Sequence, residues 1–323
     1  MFMINLRNGE IYVIKLKTFG SFTVGNDLTS VQEGAWRSEK LEKLFVYLAM
    51  NRNRGVCIED ISEAIWQVEE ETDNPVGALK NLAYRLRKAL RDASFGEECI
   101  VSVRGGLYKW NDDVEVTIDV EEFDRYINEA EMAFCRSKET AIESYEKAIA
   151  LYHGDFLPLR TDTHWFMTLN AFYHSRYVNT VKALAKLYID TGCYEKLEQL
   201  CTRAIVYERS DEQIYSYLIV ARMRTKKVQM AFDTYETAKA IMDNDLGVRK
   251  TVMLNKVYEE LLSVTKGVSS YNIDEVKDDI SEESMKGVFM CGYSVFKEIY
   301  HLEVRKSARS TVPESLVLVT VVP

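Results

Sequence analysis

Five positions in the C-terminal half recur 34 residues later as apolar or small residues: Leu184 and Leu218, Leu187 and Ala221, Leu197 and Ala231, Cys201 and Tyr235, Ala204 and Ala238. A period of this length commits a chain to stacking like units, because one unit cannot bury its apolar face alone. The units are helical. Apolar spacing predicts helices over Val120–Phe134, Lys138–Leu151, Thr163–Asp190, Tyr194–Tyr207, Asp211–Arg224, Val228–Met242 and Lys250–Leu262. With only 4 prolines and 15 glycines in 323 residues, little interrupts such helices. A hydrophobic fraction of 47%, with 19 tyrosines and 13 phenylalanines, supplies the core they need.

Helix pairs at this spacing, with small residues where helices touch, have the tetratricopeptide period. The first hundred residues follow other rules. Ile11 to Val24 alternates around Phe19-Gly20 and reads as one or two short strands, with Gly25-Asn26-Asp27 as a turn. From Ser38 the period becomes helical, with Leu41, Leu44, Phe45 and Leu48 on one face and Gly55 ending the element. A short helix, Ile58 to Trp66, precedes an acidic loop from Glu69 to Asn74.

The next helix carries the most information. Asn74-Pro75 is a cap followed by proline at the first helical position, and the helix runs to about Asp92. Leu79, Leu82, Ala83, Leu86 and Leu90 form its apolar stripe. Asn81, Tyr84, Arg85 and Lys88 cluster opposite, with Lys80, Arg87 and Arg91 nearer the edges. Between Lys80 and Arg91 there are five basic residues and no acid. Two β runs follow, Ile100–Val103 and Leu107–Trp110, joined by Arg104-Gly105-Gly106. Strands, three helices and a hairpin with a basic tip make the layout of a winged helix-turn-helix. In such a layout Asn and Arg on the third helix read base edges, Lys and Arg hold phosphates, and Arg104 and Gly105 place the wing against DNA.

The basic helix stands out because the chain is acidic, with 41 basic against 50 acidic residues and a net charge of −9. That balance excludes histone-like binding by charge alone, but not a local basic reading head. No apolar run reaches the length of a membrane span, and Met1 to Gly20 lacks a signal-peptide core. The six cysteines include no C-x-x-C pair and the four histidines show no metal-binding spacing, so reduced thiols, no metal, no cofactor and a cytoplasmic location are expected. No phosphate-cradling glycine loop and no G-x-S-x-G nucleophile motif is present, so no catalytic residues are assigned. His153, His164 and His174 read as packed or surface histidines.

Several segments together resemble the antibiotic-regulatory-protein (SARP) type of bacterial transcriptional activator. They are Phe19-Gly20, Trp36-Arg37-Ser38-Glu39-Lys40, Ile65-Trp66 and the run from Asn81 to Leu90. Further on, Asp119-Val120 with Phe123, Tyr152 to Pro158, Trp165, Asp211-Glu212, Ala231 to Tyr235 and Leu246-Gly247-Val248 are similar to the bacterial transcriptional activator domain that follows in such proteins. One departure is Cys57, standing where a hydroxyl cap is usual. The resemblance implies a mainly α chain: an N-terminal winged helix-turn-helix followed by a tetratricopeptide-like α-helical repeat domain. It implies double-stranded promoter DNA in direct repeats as a partner and recruitment of RNA polymerase, and it admits a homodimer; from the absent motifs and apolar runs, no membrane partner and no enzymatic activity are expected.

The expected divisions are 1–116 for the DNA-binding domain, 117–264 for the helical domain, 265–285 for an acidic linker and 286–323 for a third domain's beginning. In the last, Tyr293, Phe296, Ile299 and Tyr300 share a helix face and Leu316 to Val322 reads as a buried strand, weakly resembling the opening of a diguanylate-cyclase-like domain without its GGDEF motif. Two other functions remain open on sequence: a helical scaffold that binds no DNA, and a sensor whose chemistry lies in that third domain.

Overall fold

A computed structural model describes residues 13–26, 30–66, 74–93, 95, 99–103, 106–158, 162–245, 252–268 and 299–304. The chain divides into two compact units, 1–266 and 267–323. In the second, residues 299–304 are helical. Tyr293, Phe296 and the apolar run from Leu316 lie outside the described residues.

The first unit opens with β1 (Ile14–Lys17), β2 (Thr23–Gly25) and β3 (Ser30–Gln32), an antiparallel meander. Alternation on β1 buries Ile14 and Leu16 and turns Lys15 and Lys17 outward. After α1 (Glu39–Met50), α2 (Ile58–Ile65) and α3 (Pro75–Asp92) comes a hairpin of β4 (Ile100–Val103) and β5 (Leu107–Trp110). β6 (Val116–Ile118) then returns to pair parallel with β1, giving the sheet order β3-β2-β1-β6. Neither β3 nor β6 was expected: three residues are too few to show a period, and both are strands because of what they pair with.

Helix ends differ from expectation in detail. α1 stops at Met50, well before Gly55, and the Asn51 side chain donates to the Tyr47 carbonyl at 2.9 Å. Ser38 occupies the N-cap position without a side-chain cap bond. Cys57 does cap α2, its Sγ accepting from the Asp60 N–H at 3.4 Å, the long reach of a sulfur acceptor.

Seven helices complete the unit: α4 (Asp119–Ala133), α5 (Lys138–Leu151), α6 (His164–Thr191), α7 (Tyr194–Tyr207), α8 (Glu212–Arg224), α9 (Val228–Asp245) and α10 (Val252–Val268). From α4 to α9 each packs on its sequence neighbour, as a helical repeat requires. All the residues that recur at the 34-residue period are buried. α10 extends through Thr265–Val268, so the segment read as the start of a linker is helix. Among the described residues no helix is long and apolar enough to cross a membrane, and no cluster of three metal-ligating side chains occurs.

The sheet and the helical repeat share one core. A continuous apolar cluster runs from Ile14 and Leu16 through Phe45 and Leu86 to Phe123, Tyr177 and Ala221. Asp119 pins the junction. Only 8% exposed, its carboxylate accepts from the Thr18 N–H and hydroxyl, both at 2.7 Å, and from the Phe19 and Val120 N–H groups at 2.9 Å. Burial pushes this carboxyl's pKa up, against four hydrogen bonds that favour the charged form.

The next residues seal the contact. The Phe19 ring meets Phe123, Tyr152 and Tyr173 at centroid distances of 5.2, 5.0 and 5.7 Å. The backbone after β1 pairs with the loop following α5: Gly20 N–H to the Asp155 carbonyl and Leu157 N–H to the Thr18 carbonyl, each 2.9 Å. A Cβ at Gly20, whose φ is +80°, would lie 2.6 Å from the His153 carbonyl oxygen, so this approach requires glycine. Lys43 of α1 is buried against Asp162, the Thr163 hydroxyl donates to the Ala64 carbonyl at 2.9 Å, and Arg52 holds Glu121 through both terminal guanidinium nitrogens at 2.5 and 2.7 Å.

His174 on α6 ties the same loop to the end of α7. Its Nδ1 lies 2.8 Å from Asp155 and its Nε2 3.1 Å from Glu208. The bond to Asp155, with help from Glu208 and against burial, pushes the imidazole up to about 9.

Asp119→Ala leaves the buried Thr18 and Phe19 donors without an acceptor, at a cost of about 1–3 kcal/mol for each group. Chemical denaturation should show that loss, and Asp119→Asn, which keeps one acceptor oxygen, should lose less. His174 has a folded pKa above its unfolded value. Its contribution is therefore complete below about pH 6.5 and disappears as pH rises through about 9. The stability difference between wild type and His174→Gln, measured by denaturation at several pH values, should shrink across that window. A difference that grows with pH would contradict the charged-imidazole assignment.

Candidate nucleic-acid interface

α3 begins as its first residues dictate. The Asn74 side-chain oxygen accepts from the Gly77 N–H at 2.8 Å, and Pro75 follows at the first helical position. A Cβ on Gly77 would lie 2.8 Å from the Asn74 amide nitrogen, so glycine leaves room for the cap. Leu79, Leu82, Ala83, Leu86 and Leu90 are buried, and the helix packs on α1 and α2. That packing turns the opposite face outward.

Lys80, Asn81, Tyr84, Arg85, Lys88 and Arg91 are all exposed. Tyr84 holds its ring 65% exposed. Among the described residues, Lys80, Asn81, Tyr84, Arg85 and Lys88 make no hydrogen bond or ion pair. From Lys80 to Arg91 the strip spans about 16 Å at the rise of an α-helix.

Arg87 lies at the edge of that face, as its spacing predicts. It is half-buried, and its charge lies close enough to the Tyr108 hydroxyl to oppose the upward effect of burial on that phenol. The helix rotation that buries Leu86 and Leu90 carries Arg87 toward β5, away from the open strip.

The wing is held to the helices by backbone. β4 and β5 pair in register from Ile100 with Trp110 to Val103 with Leu107. Tyr108 exchanges two hydrogen bonds with Val56, at 2.8 and 2.9 Å, joining the hairpin to the α1–α2 connection. Sequence reasoning missed this clamp, because an isolated bridge leaves no periodic signal. Gly106 has a φ of +81°, a turn conformation that glycine adopts without strain. Arg104 and Gly105 lie outside the described residues. At the wing's base Lys109 is paired with Asp112 at 2.5 Å, so the hairpin's one described lysine is already engaged within the chain.

The arrangement is a cationic, hydrogen-bonding helix face standing free beside a clamped hairpin. Among the described residues it holds no nucleophile with a neighbouring base; what it offers an outside molecule is positive charge and hydrogen-bond donors. The five described cysteines are free thiols.

Comparison with known proteins agrees with this architecture. The bacterial transcriptional activator domain matches residues 118–262, from the end of β6 into α10. The transcriptional regulator RedD of Streptomyces coelicolor is 23% identical over 238 residues, covering 73% of this chain and 67% of RedD. Mycobacterium tuberculosis EmbR, solved in complex with a low affinity phosphopeptide, shares the fold, with a TM-score of 0.61 at 18% identity over 83% of this chain and 71% of EmbR. Residues 118–262 thus match a bacterial transcriptional activator domain, here preceded by a winged helix-turn-helix, and the chain is similar to transcriptional regulators such as RedD.

Proposed function

We propose that α3 is the recognition helix of a cytoplasmic transcriptional activator and lies in the major groove of promoter DNA. Asn81 and Arg85 read base edges, while Lys80, Lys88 and Arg91 hold phosphates. Tyr84 packs its exposed ring on the groove wall. Arg87 acts from behind, bracing the helix against β5. Arg104 and Gly105, which join β4 to β5 in sequence, contact the adjacent minor groove or backbone. The helical domain, 117–264, recruits RNA polymerase, and the sites are direct repeats that two copies of the chain can share. No catalysis and no cofactor enter this reading.

One observation carries it: Lys80, Asn81, Tyr84, Arg85 and Lys88 stand exposed and unpartnered on one helix face, in a chain of net charge −9. Elsewhere several cations do find carboxylates, as Arg52, Lys138 and Lys182 do. A row of unpaired cations in an acidic protein marks where an outside polyanion belongs.

The test is binding to a footprinted upstream site and to a scrambled duplex. Asn81→Ala and Arg85→Ala should each lose about 1–3 kcal/mol on the specific site and little on the scrambled one. Lys88→Ala should weaken both alike and reduce the slope of log K against log salt by about 1. Equal behaviour of all three variants, or no effect of any, would rule out the groove assignment. Absence of any DNA binding by the wild type would favour a protein-binding scaffold.

A further inference from the structure

Between α4 and α6 runs an open groove of about 570 Å³. Ile127 and Tyr145 form its floor, and α6 supplies a wall of short side chains, Thr168, Ala171, Ser175 and Asn179. Those positions fall on one face of α6 and extend about 16 Å along it, the reach of three helical turns. Phe172, 49% exposed, adds an aromatic edge to the same wall.

Two polar groups in the groove lack partners. Tyr145 is 5% exposed, and its hydroxyl has no hydrogen-bond partner among the described residues. Glu131, exposed on α4, has no ion pair or hydrogen bond there either, although its charge acts with burial to push the Tyr145 phenol up. The ring is buried while the hydroxyl opens onto the groove, where an acceptor on a ligand can reach it. The lining cation, Arg176, is already held by Asp124 at 2.6 Å and donates to Asn128 at 3.2 Å, so it does not neutralise Glu131. The α4–α5 hairpin is acidic as a whole, with nine acidic and four basic residues between Asp119 and Leu151.

We propose that this groove docks a short amphipathic helix of a partner protein, whose apolar side chains lie along Ala171, Phe172 and Ser175 and whose lysine or arginine pairs with Glu131. The small α6 residues let a second helix approach closely. Apolar anchors spaced i, i+3 or i+4, and i+7 match Thr168, Ala171 or Phe172, and Ser175. Tyr145 donates to a polar group on the docked segment. The inference deepens the reading of the helical domain as the surface that recruits other proteins, and it rests on that reading for its consequence in transcription.

The test uses the full chain and two fluorescein-labelled helical peptides with leucines at those spacings, one flanked by lysine and one by glutamate. Anisotropy should show saturable binding of the lysine peptide, with the glutamate peptide at least about tenfold weaker because like charges would meet at Glu131. Ala171→Trp should abolish binding by filling the groove, and Glu131→Lys should reverse the peptide preference. Both variants should keep wild-type helicity and DNA affinity, which separates groove loss from misfolding. No saturable binding of either peptide, or equal binding to Ala171→Trp, would overturn the proposal. Transcription with purified RNA polymerase then distinguishes the two claims. Loss of activation in both variants supports both. Full activation despite lost peptide binding upholds the groove and overturns the helical domain's assigned role in recruiting polymerase through it.

Discussion

A single buried carboxylate fastens the two halves of the first unit. Asp119 is the first residue of α4, and its oxygens collect donors from Thr18 and Phe19 at the end of β1. At the start of a helix the macrodipole favours this negative charge, and the hydrogen bonds compensate for the loss of water. Because β6 leads directly into α4 while pairing with β1, the helix cannot turn away from the sheet without breaking that set. The contact extends outward through the Phe19 ring cluster, the Gly20 approach to the α5–α6 loop, and the Lys43 and Arg52 ion pairs.

The functional consequence is rigidity between the reading head and the helical domain. α3 packs on α1 and α2, α2 packs on α6, and α6 carries both His174 and the wall of the α4–α6 groove. Tyr152 stacks on Tyr177 with centroids 3.8 Å apart and donates to Asp155, which also bonds His174. The exposed cationic face of α3 and the α4–α6 groove are thus held by one continuous packed body, so a ligand on either surface would fix the orientation of the other.

Charge is arranged to keep the two surfaces distinct. Among the described cations, several at the junction and along the repeats are tied to carboxylates, whereas Lys80, Arg85 and Lys88 on α3 are not. The repeat's first hairpin is acidic and leaves Glu131 open. Like charge would repel the acidic face from a polyanion and opposite charge would attract the basic one, so in the proposed reading the electrostatics that favour α3 at DNA keep the groove away from it.

Local and periodic features were legible without coordinates. Asn74-Pro75 sets the start of α3 because the cap and the fixed φ act within three residues, and the Leu79–Leu90 stripe sets its rotation. The 34-residue recurrence located the buried helix contacts because burial repeats wherever the unit repeats. What escaped depends on partners distant in sequence. β6 is three residues whose strand character comes from β1, some hundred positions away. Arg87 looks like its neighbours until helix rotation and β5 place Tyr108 beside it. His174 reads as an ordinary helical histidine until folding brings Asp155 and Glu208 to its two nitrogens. The sequence alone determined the elements and the face that α3 presents, since periodicity and capping are short-range. Only the tertiary structure decided which charges are paired, which are left open, and that head and repeat form one body, because those outcomes follow from contacts between residues far apart in the chain.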